Sequence, residues 1–287
     1  MLTASAHPQA LSSVKNTLAY NGDNTELPDP EMRIVSLAPH LTEMVFLLGL
    51  GEQLVAVSDF SDYPEQAKTL PRVASYQGAN IAEVLRLKAT HVLAWQGGNK
   101  DSDIRKLISS NIAVYQSKVT DVDSLLSDIS AIAEFLNAPL QAQPLLGSIA
   151  EQVQRLEQDY QSKSKAVFYY LSDKPLLALG NDKWLNSLLR LCGLNNIFVD
   201  SIAPFPQVSI AQVLRHQPEL IIAASNKNKA YLLAQWTEHR SMLSADIIVA
   251  NPDMLHRFTP RAINEMTRTC ESAYSENTTT SIIKAEQ

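Results

Sequence analysis

Two turns in the first half of the chain set a large flat side chain beside glycine: Ala74-Ser75-Tyr76-Gln77-Gly78 and Ala94-Trp95-Gln96-Gly97-Gly98-Asn99. Each follows a short apolar run. Aromatic faces next to residues without a Cβ suit a shallow surface against which a flat, mostly apolar ligand lies. The groups a catalyst needs do not accompany them. The chain carries no G-x-S-x-G elbow, no G-x-x-x-x-G-K-[ST] loop and no G-x-G-x-x-G fingerprint. Asp59 and Asp62 read as residues that turn the chain and cap a helix. His91, His216, His239 and His256 are scattered without H-E-x-x-H spacing, and His7 lies near the N-terminus, so no metal site or catalytic cofactor is expected. The pattern is that of a binder rather than an enzyme.

A chain of 287 residues with 45% hydrophobic residues buries a core large enough for two lobes. Its net charge of −6 offers no basic surface to hold a phosphate backbone, which argues against nucleic acid as a partner. The longest apolar runs, such as Met44-Val45-Phe46-Leu47-Leu48, fall far short of the ~20 residues of a membrane-spanning helix. Residues Met1 to Pro30 are polar and lack apolar periodicity, which predicts an arm without fixed structure. They show no basic start and apolar run of a secretory signal.

The turns need strands and helices to hold them. Arg33 to Leu37, Leu54 to Asp59, His91 to Trp95 and Ala113 to Tyr115 read as strands or strand and turn. Leu41 to Leu48, the segment after Asn80, the segment from Asp101 and Asp121 to Asn137 read as helices, with Asn80 as a cap. Leu145, Leu146, Ile149, Val153, Leu156 and Tyr160 then recur at threes and fours, one apolar stripe of a long helix over Pro144 to Lys163. Alternation resumes with strands at Ala166 to Tyr170, Glu219 to Ala223 and Ile247 to Val249, and helices at Asp182 to Cys192 and Pro260 to Cys270. The expected fold is α/β: two βα lobes bridged by a single long helix, with a ligand cleft between them. The divisions are an arm over residues 1–32, a first lobe over 33–138, a connecting helix over 139–164, a second lobe over 165–270 and a flexible tail over 271–287, in which Ser281-Ile282-Ile283 can dock locally. Cys192 and Cys270 lack C-x-x-C spacing. They are either two buried thiols or one bridge, which would close a loop of about 80 residues and contribute roughly 4 kcal/mol.

From Arg33 to Cys270 the residues resemble the periplasmic cobalamin-binding proteins of ABC importers, within the helical-backbone class of substrate-binding proteins. The matching stretches are Arg33-Ile34-Val35-Ser36-Leu37-Ala38-Pro39 with Thr42-Glu43, Ser61-Asp62-Tyr63-Pro64, Gln77-Gly78-x-Asn80, Ala94 to Asn99, Cys192-Gly193 through Asn196-Ile197-Phe198, Pro204 to Ser209, and Asp253 through Arg257 to Pro260-Arg261. The resemblance implies a monomer that holds cobalamin or a related corrinoid between its lobes and delivers it to the permease of an importer. It places Pro39, Phe60, Tyr76, Trp95, Leu177 and Phe205 against the apolar disc, with Asp253 and Arg257 as polar contacts. If their segment is helical, those two share a face and can bond the rim amides. It pairs Cys192 with Cys270 in a disulfide, which implies an oxidising, periplasmic compartment. Haem or a ferric siderophore is the alternative bulky cargo. His40, next to Pro39, either approaches the corrinoid's upper axial group or faces solvent at a helix start.

The sequence departs from the family at several of these positions. Phe60, Tyr76, Leu177 and Phe205 stand where Tyr, Trp, Phe and Trp are typical, which keeps aromatic character with less area and fewer hydrogen-bonding handles. The family places one glutamate on each lobe to meet arginines of the transporter, and here those positions hold Ala82 and Ala211. Glu83 adjoins the first, but one helical step turns a side chain by about 100°. The second lobe has no neighbouring acid before Glu219. A relative that binds corrinoid without docking, for storage or scavenging, is therefore a further reading.

Overall fold

Each expected strand forms, and the strands sort into two sheets. The computed structural model describes residues 31–239 and 241–275. The predicted N-terminal arm through Pro30, with His7, and the tail beyond Ser275, with Ser281 to Ile283, lie outside the described residues. The first lobe comprises β1 (Ile34–Ser36), α1 (Pro39–Leu47), β2 (Leu54–Ser58), β3 (Arg72–Ser75), β4 (Gly78–Ala79), α2 (Ile81–Arg86), β5 (His91–Trp95), α3 (Asp101–Ser109) and β6 (Ala113–Ser117). Its sheet runs β4-β3-β2-β1-β5-β6 and is parallel apart from β4. β1 is buried throughout, as a central parallel strand covered on both faces must be.

α4 (Val122–Phe135) and α5 (Pro139–Tyr160) follow. Asp121 opens α4 with a capping box, its carboxylate accepting from the Ser124 amide at 2.8 Å. α5 has 22 residues, a span of about 33 Å. It starts earlier than its apolar stripe indicates, because Pro139 is favoured at a first helical position, and it contains Pro144. Ala142, Ile149 and Leu156 form its buried seam, seven residues apart, and the helix packs on α4 and on the helix over Pro260–Tyr274.

The second lobe holds β7 (Lys165–Asp173), β8 (Leu176–Ala178), α6 (Lys183–Arg190), β9 (Leu194–Asn196), α7 (Ile210–His216), β10 (Leu220–Ala224), α8 (Lys229–Thr237), β11 (Asp246–Ala250), α9 (Pro252–Leu255) and α10 (Pro260–Tyr274). Its sheet runs β11-β10-β7-β8, and β9 shares the β7 edge by pairing with Lys165 to Val167. Strands β3, β4, β8 and β9 escape the sequence reading because two to four residues carry too little alternation. α10 continues four residues past Cys270, and the Tyr274 hydroxyl donates to the Cys192 carbonyl at 2.8 Å. Cys192 and Cys270 form a disulfide between the end of α6 and α10, with Cα atoms 5.8 Å apart.

The lobes share one core. A single apolar cluster runs from Leu41 and Leu93 in the first lobe through Ile132 and Ile149 to Leu188 and Ile263 in the second. The outer faces of the two sheets carry separate clusters, around Val92 and Leu107 and around Phe168 and Trp236. A large apolar inter-lobe interface restricts relative motion of lobes, unlike a polar linker. Among the described residues no helix is long and apolar enough to cross a membrane.

Candidate ligand cleft between the lobes

Four of the flagged residues lie at the ends of neighbouring strands. Tyr76 follows β3, Phe60 follows β2, Pro39 follows β1 and Trp95 ends β5, so the strand order lays them in a row across the rim of the first lobe. In open α/β sheets the carboxyl ends of the strands are where ligands bind. Phe60 is 76% and Tyr76 88% exposed, far more than core aromatics. Phe60 sits at φ +61°, a left-handed conformation that turns its ring outward. The Tyr76 turn is fixed by glycine: Gly78 has φ +127°, and a Cβ there would stand 2.7 Å from an Asp103 carboxylate oxygen that binds the Ala79 amide.

Trp95 shows why glycine follows it. A Cβ on Gly98 would fall 1.8 Å from the indole, so the ring lies across the space that glycine leaves. Its other contacts are edge-on, to His40 at 5.5 Å and to Phe258 at 5.7 Å between centroids. Phe258 belongs to the second lobe, and it also meets His40 at 5.1 Å. His40 is therefore a helix-start residue that is buried, 5% exposed, rather than solvent-facing. Burial, with the Arg257 charge adding to it, pushes its imidazole down to about 3, and its Nε2 has no partner among the described residues.

On the second lobe, Leu177 lies on β8 and bridges through its backbone to Gln207, which anchors the loop carrying Phe205. Gly180 lets that loop approach closely, since a Cβ there would meet the Ala203 carbonyl at 2.2 Å. Phe205 is exposed and Leu177 half-buried. Asp253 follows β11 at the far edge of the same sheet and accepts from Asn226 at 3.0 Å.

Arg257 departs from expectation. α9 ends at Leu255, so Asp253 and Arg257 do not share a helical face. Arg257 is engaged across the lobes: it donates to the Glu43 carboxylate at 2.9 Å, to Asp62 at 2.8 Å and to the Phe60 carbonyl at 3.3 Å, all in the first lobe. Arg261 donates to the same Glu43 oxygen at 3.0 Å and lies 3.7 Å from the centre of the Tyr63 ring. Asp62 is thus an inter-lobe partner rather than a turn or capping residue; the short helical turn after it has Pro64 at its start and no side-chain cap. Burial favours the neutral form of Asp62, but the hydrogen bond and charge of Arg257 outweigh it and hold the carboxyl below its ordinary range. Glu43 and Arg261 escape the chemical reading of the sequence, although an acid inside the apolar run of α1 is itself a signal. Asp62, Arg257 and Glu43 thus tie the two lobes together next to Phe60.

The two positions that correspond by resemblance to the family's glutamates are on the surface. Ala82 is exposed in α2 and Ala211 in α7, each at the second position after a capping residue, Asn80 and Ser209. Glu83 is held by Arg86 at 2.8 Å within its own helix.

Comparison with known proteins gives the family and the fold. Residues 34–247 match the periplasmic binding protein family. A vitamin B12-binding protein of Vibrio cholerae is 37% identical over 246 residues, 85% of this chain and 89% of that protein. The crystal structure of the periplasmic vitamin B12-binding protein BtuF of Vibrio cholerae superposes with a TM-score of 0.75 at 35% identity, over 89% of this chain and 98% of that one. The periplasmic haem-binding protein HutB of Vibrio cholerae reaches the same TM-score at 23% identity, over 85% and 99%, a likeness of fold.

Proposed function

The chain belongs to the periplasmic binding protein family, and on that premise we propose that it captures cobalamin or a related corrinoid between its lobes, in the periplasm, and delivers it to an ABC importer. The observation that supports this reading is the row of Tyr76, Phe60, Pro39 and Trp95 at adjacent strand ends of the first lobe; Leu177 and the exposed Phe205 are the contacts proposed on the second. A corrin is a broad apolar disc with amides on its rim. Exposed rings supply contact area for the disc, and Asp253 supplies an acceptor for the rim. Arg257 supports the pocket by bracing Phe60 from beneath. The shared core keeps the lobes at a fixed spacing, so the cleft is largely preformed and little binding energy is lost to ordering.

Isothermal titration with cyanocobalamin, haemin and a ferric siderophore tests the assignment. One-to-one saturable binding of cyanocobalamin, weakened at least tenfold by Trp95→Ala, is expected. Binding of haemin or the siderophore with silence for cyanocobalamin would refute it.

Delivery rests on a different surface, and exposed Ala82 and Ala211 favour a second reading: a corrinoid carrier that docks weakly or not at all. Capture of the importer by the wild type and by Ala82→Glu/Ala211→Glu separates the two. Equal capture by both proteins would refute the non-docking form.

A further inference from the structure

A shallow polar hollow of about 240 Å³ lies at the ends of β2 and β3, bordered by Asp59, Arg72, Ser75, Gly78 and Asn80. It adjoins the exposed rings in sequence: Asp59 precedes Phe60 and Ser75 precedes Tyr76. Two of its polar groups, Arg72 and Asn80, are held in place. Arg72 donates through Nη1 to the Ser58 and Ser61 carbonyls at 3.0 and 2.8 Å, which pins the guanidinium and leaves its remaining N–H groups unbonded among the described residues. The Asn80 Oδ1 accepts from the Glu83 amide at 3.1 Å, which fixes the side chain and leaves Nδ2 as a donor. The Asp59 amide bonds the Ala74 carbonyl at 2.7 Å, while its carboxylate has no partner among the described residues. The hollow thus offers fixed donors from Arg72 and Asn80 and an acceptor from Asp59. The site described above uses none of them.

A primary carboxamide both donates and accepts, and it satisfies Arg72 or Asn80 and Asp59 together. A carboxylate only accepts; it would pair with Arg72 but set its charge against Asp59. Resting on the corrinoid reading above, we infer that this hollow seats one peripheral carboxamide of the corrinoid, and that Asp59 sets selectivity against corrinoids carrying a free carboxylate at that position. Like charges about 5 Å apart, at an effective dielectric between a protein surface and bulk water, correspond to roughly a tenfold loss of affinity from Asp59 alone; pairing with Arg72 offsets part of it, which leaves a net loss of about threefold.

The test compares cyanocobalamin with its three monocarboxylic acids, each having one peripheral amide hydrolysed, by titration at pH 7.4. The wild type is expected to bind one monoacid about threefold more weakly than cyanocobalamin and the others nearly as well. Asp59→Asn is expected to raise the affinity for that monoacid about tenfold over the wild type's, since only the Arg72 pairing then acts on it, while leaving the melting temperature unchanged. Asp59→Ser serves as a second variant without the charge. Three monoacids bound equally by the wild type, or a penalty that survives both substitutions, would overturn the inference while leaving corrinoid binding intact. Failure of the wild type to bind any of the four ligands would overturn both.

Discussion

Glu43 is 1% exposed and holds two guanidinium groups on a single oxygen, at 2.9 and 3.0 Å. Glu43→Gln keeps the shape of the side chain and removes its charge. The Nη1 atoms of Arg257 and Arg261 then remain within about 6 Å of one another, with Asp62 the nearest counter-charge and itself half-exposed. At an effective dielectric of 20 that repulsion is about 3 kcal/mol. Breaking a buried ion pair by removing one partner costs about 3–5 kcal/mol by measurement on other proteins, a figure that already includes such terms. For a chain of this size each kcal/mol lowers the melting temperature by about 2–4 °C, so Glu43→Gln should melt about 10 °C below the wild type. Thermal melts followed by circular dichroism at pH 7.4 measure this. The second half of the argument is the coupling. In an Arg261→Gln background the same Glu43→Gln substitution should cost at least 1 kcal/mol less, because one of the stranded charges is gone. A Glu43→Gln melt within 2 °C of the wild type, or purely additive effects in the double variant, would refute the view that the pair of guanidiniums is neutralised by Glu43.

Two further outcomes follow from the buried groups. His40 and His256 are held at about 3 and about 4 by burial, below their ordinary 6.5, so beneath pH 6.5 the unfolded chain takes up protons that the native chain refuses. Stability should therefore fall as pH drops from 6.5 toward 4, by up to about 1.4 kcal/mol per pH unit for each imidazole, and His40→Gln should roughly halve that slope in urea titrations between pH 6 and 4; an unchanged slope would count against it. The Cys192–Cys270 bridge closes a separation of 78 residues, and Cys192→Ala/Cys270→Ala should lose about 4 kcal/mol of unfolding free energy, measured by chemical denaturation; a loss below 1 kcal/mol would contradict the loop-closure account.

The sequence by itself determined what local rules govern. Strand β5 spans the same residues, His91 to Trp95, in the sequence reading and in the structure, because a buried apolar run bounded by turn residues has few alternatives. Asn80 caps the helix it precedes, since a cap needs only a side-chain oxygen and an amide two or three residues on. The aromatic-glycine turns were also legible: Trp95 needs Gly98, and both lie in one short segment.

Only the tertiary structure decided which of those residues meet. Arg257 and Glu43 are 214 residues apart, and nothing in the pattern around either one indicates the other. A composition of charged residues at helix starts reads as solvated until packing removes the water. Once the shared core brings α1 against the α9–α10 junction, Arg257 is committed to the first lobe, His40 is enclosed by Trp95 and Phe258, and Asp62 becomes an inter-lobe partner. Likewise the hollow of Asp59, Arg72 and Asn80 exists because β3 pairs with β2 in a register that sets Arg72 opposite Val57, beside the end of that strand. Periodicity and capping are short-range and written in consecutive residues. Charge pairing, burial and cleft shape depend on contacts between distant segments, and those arise only when the core closes.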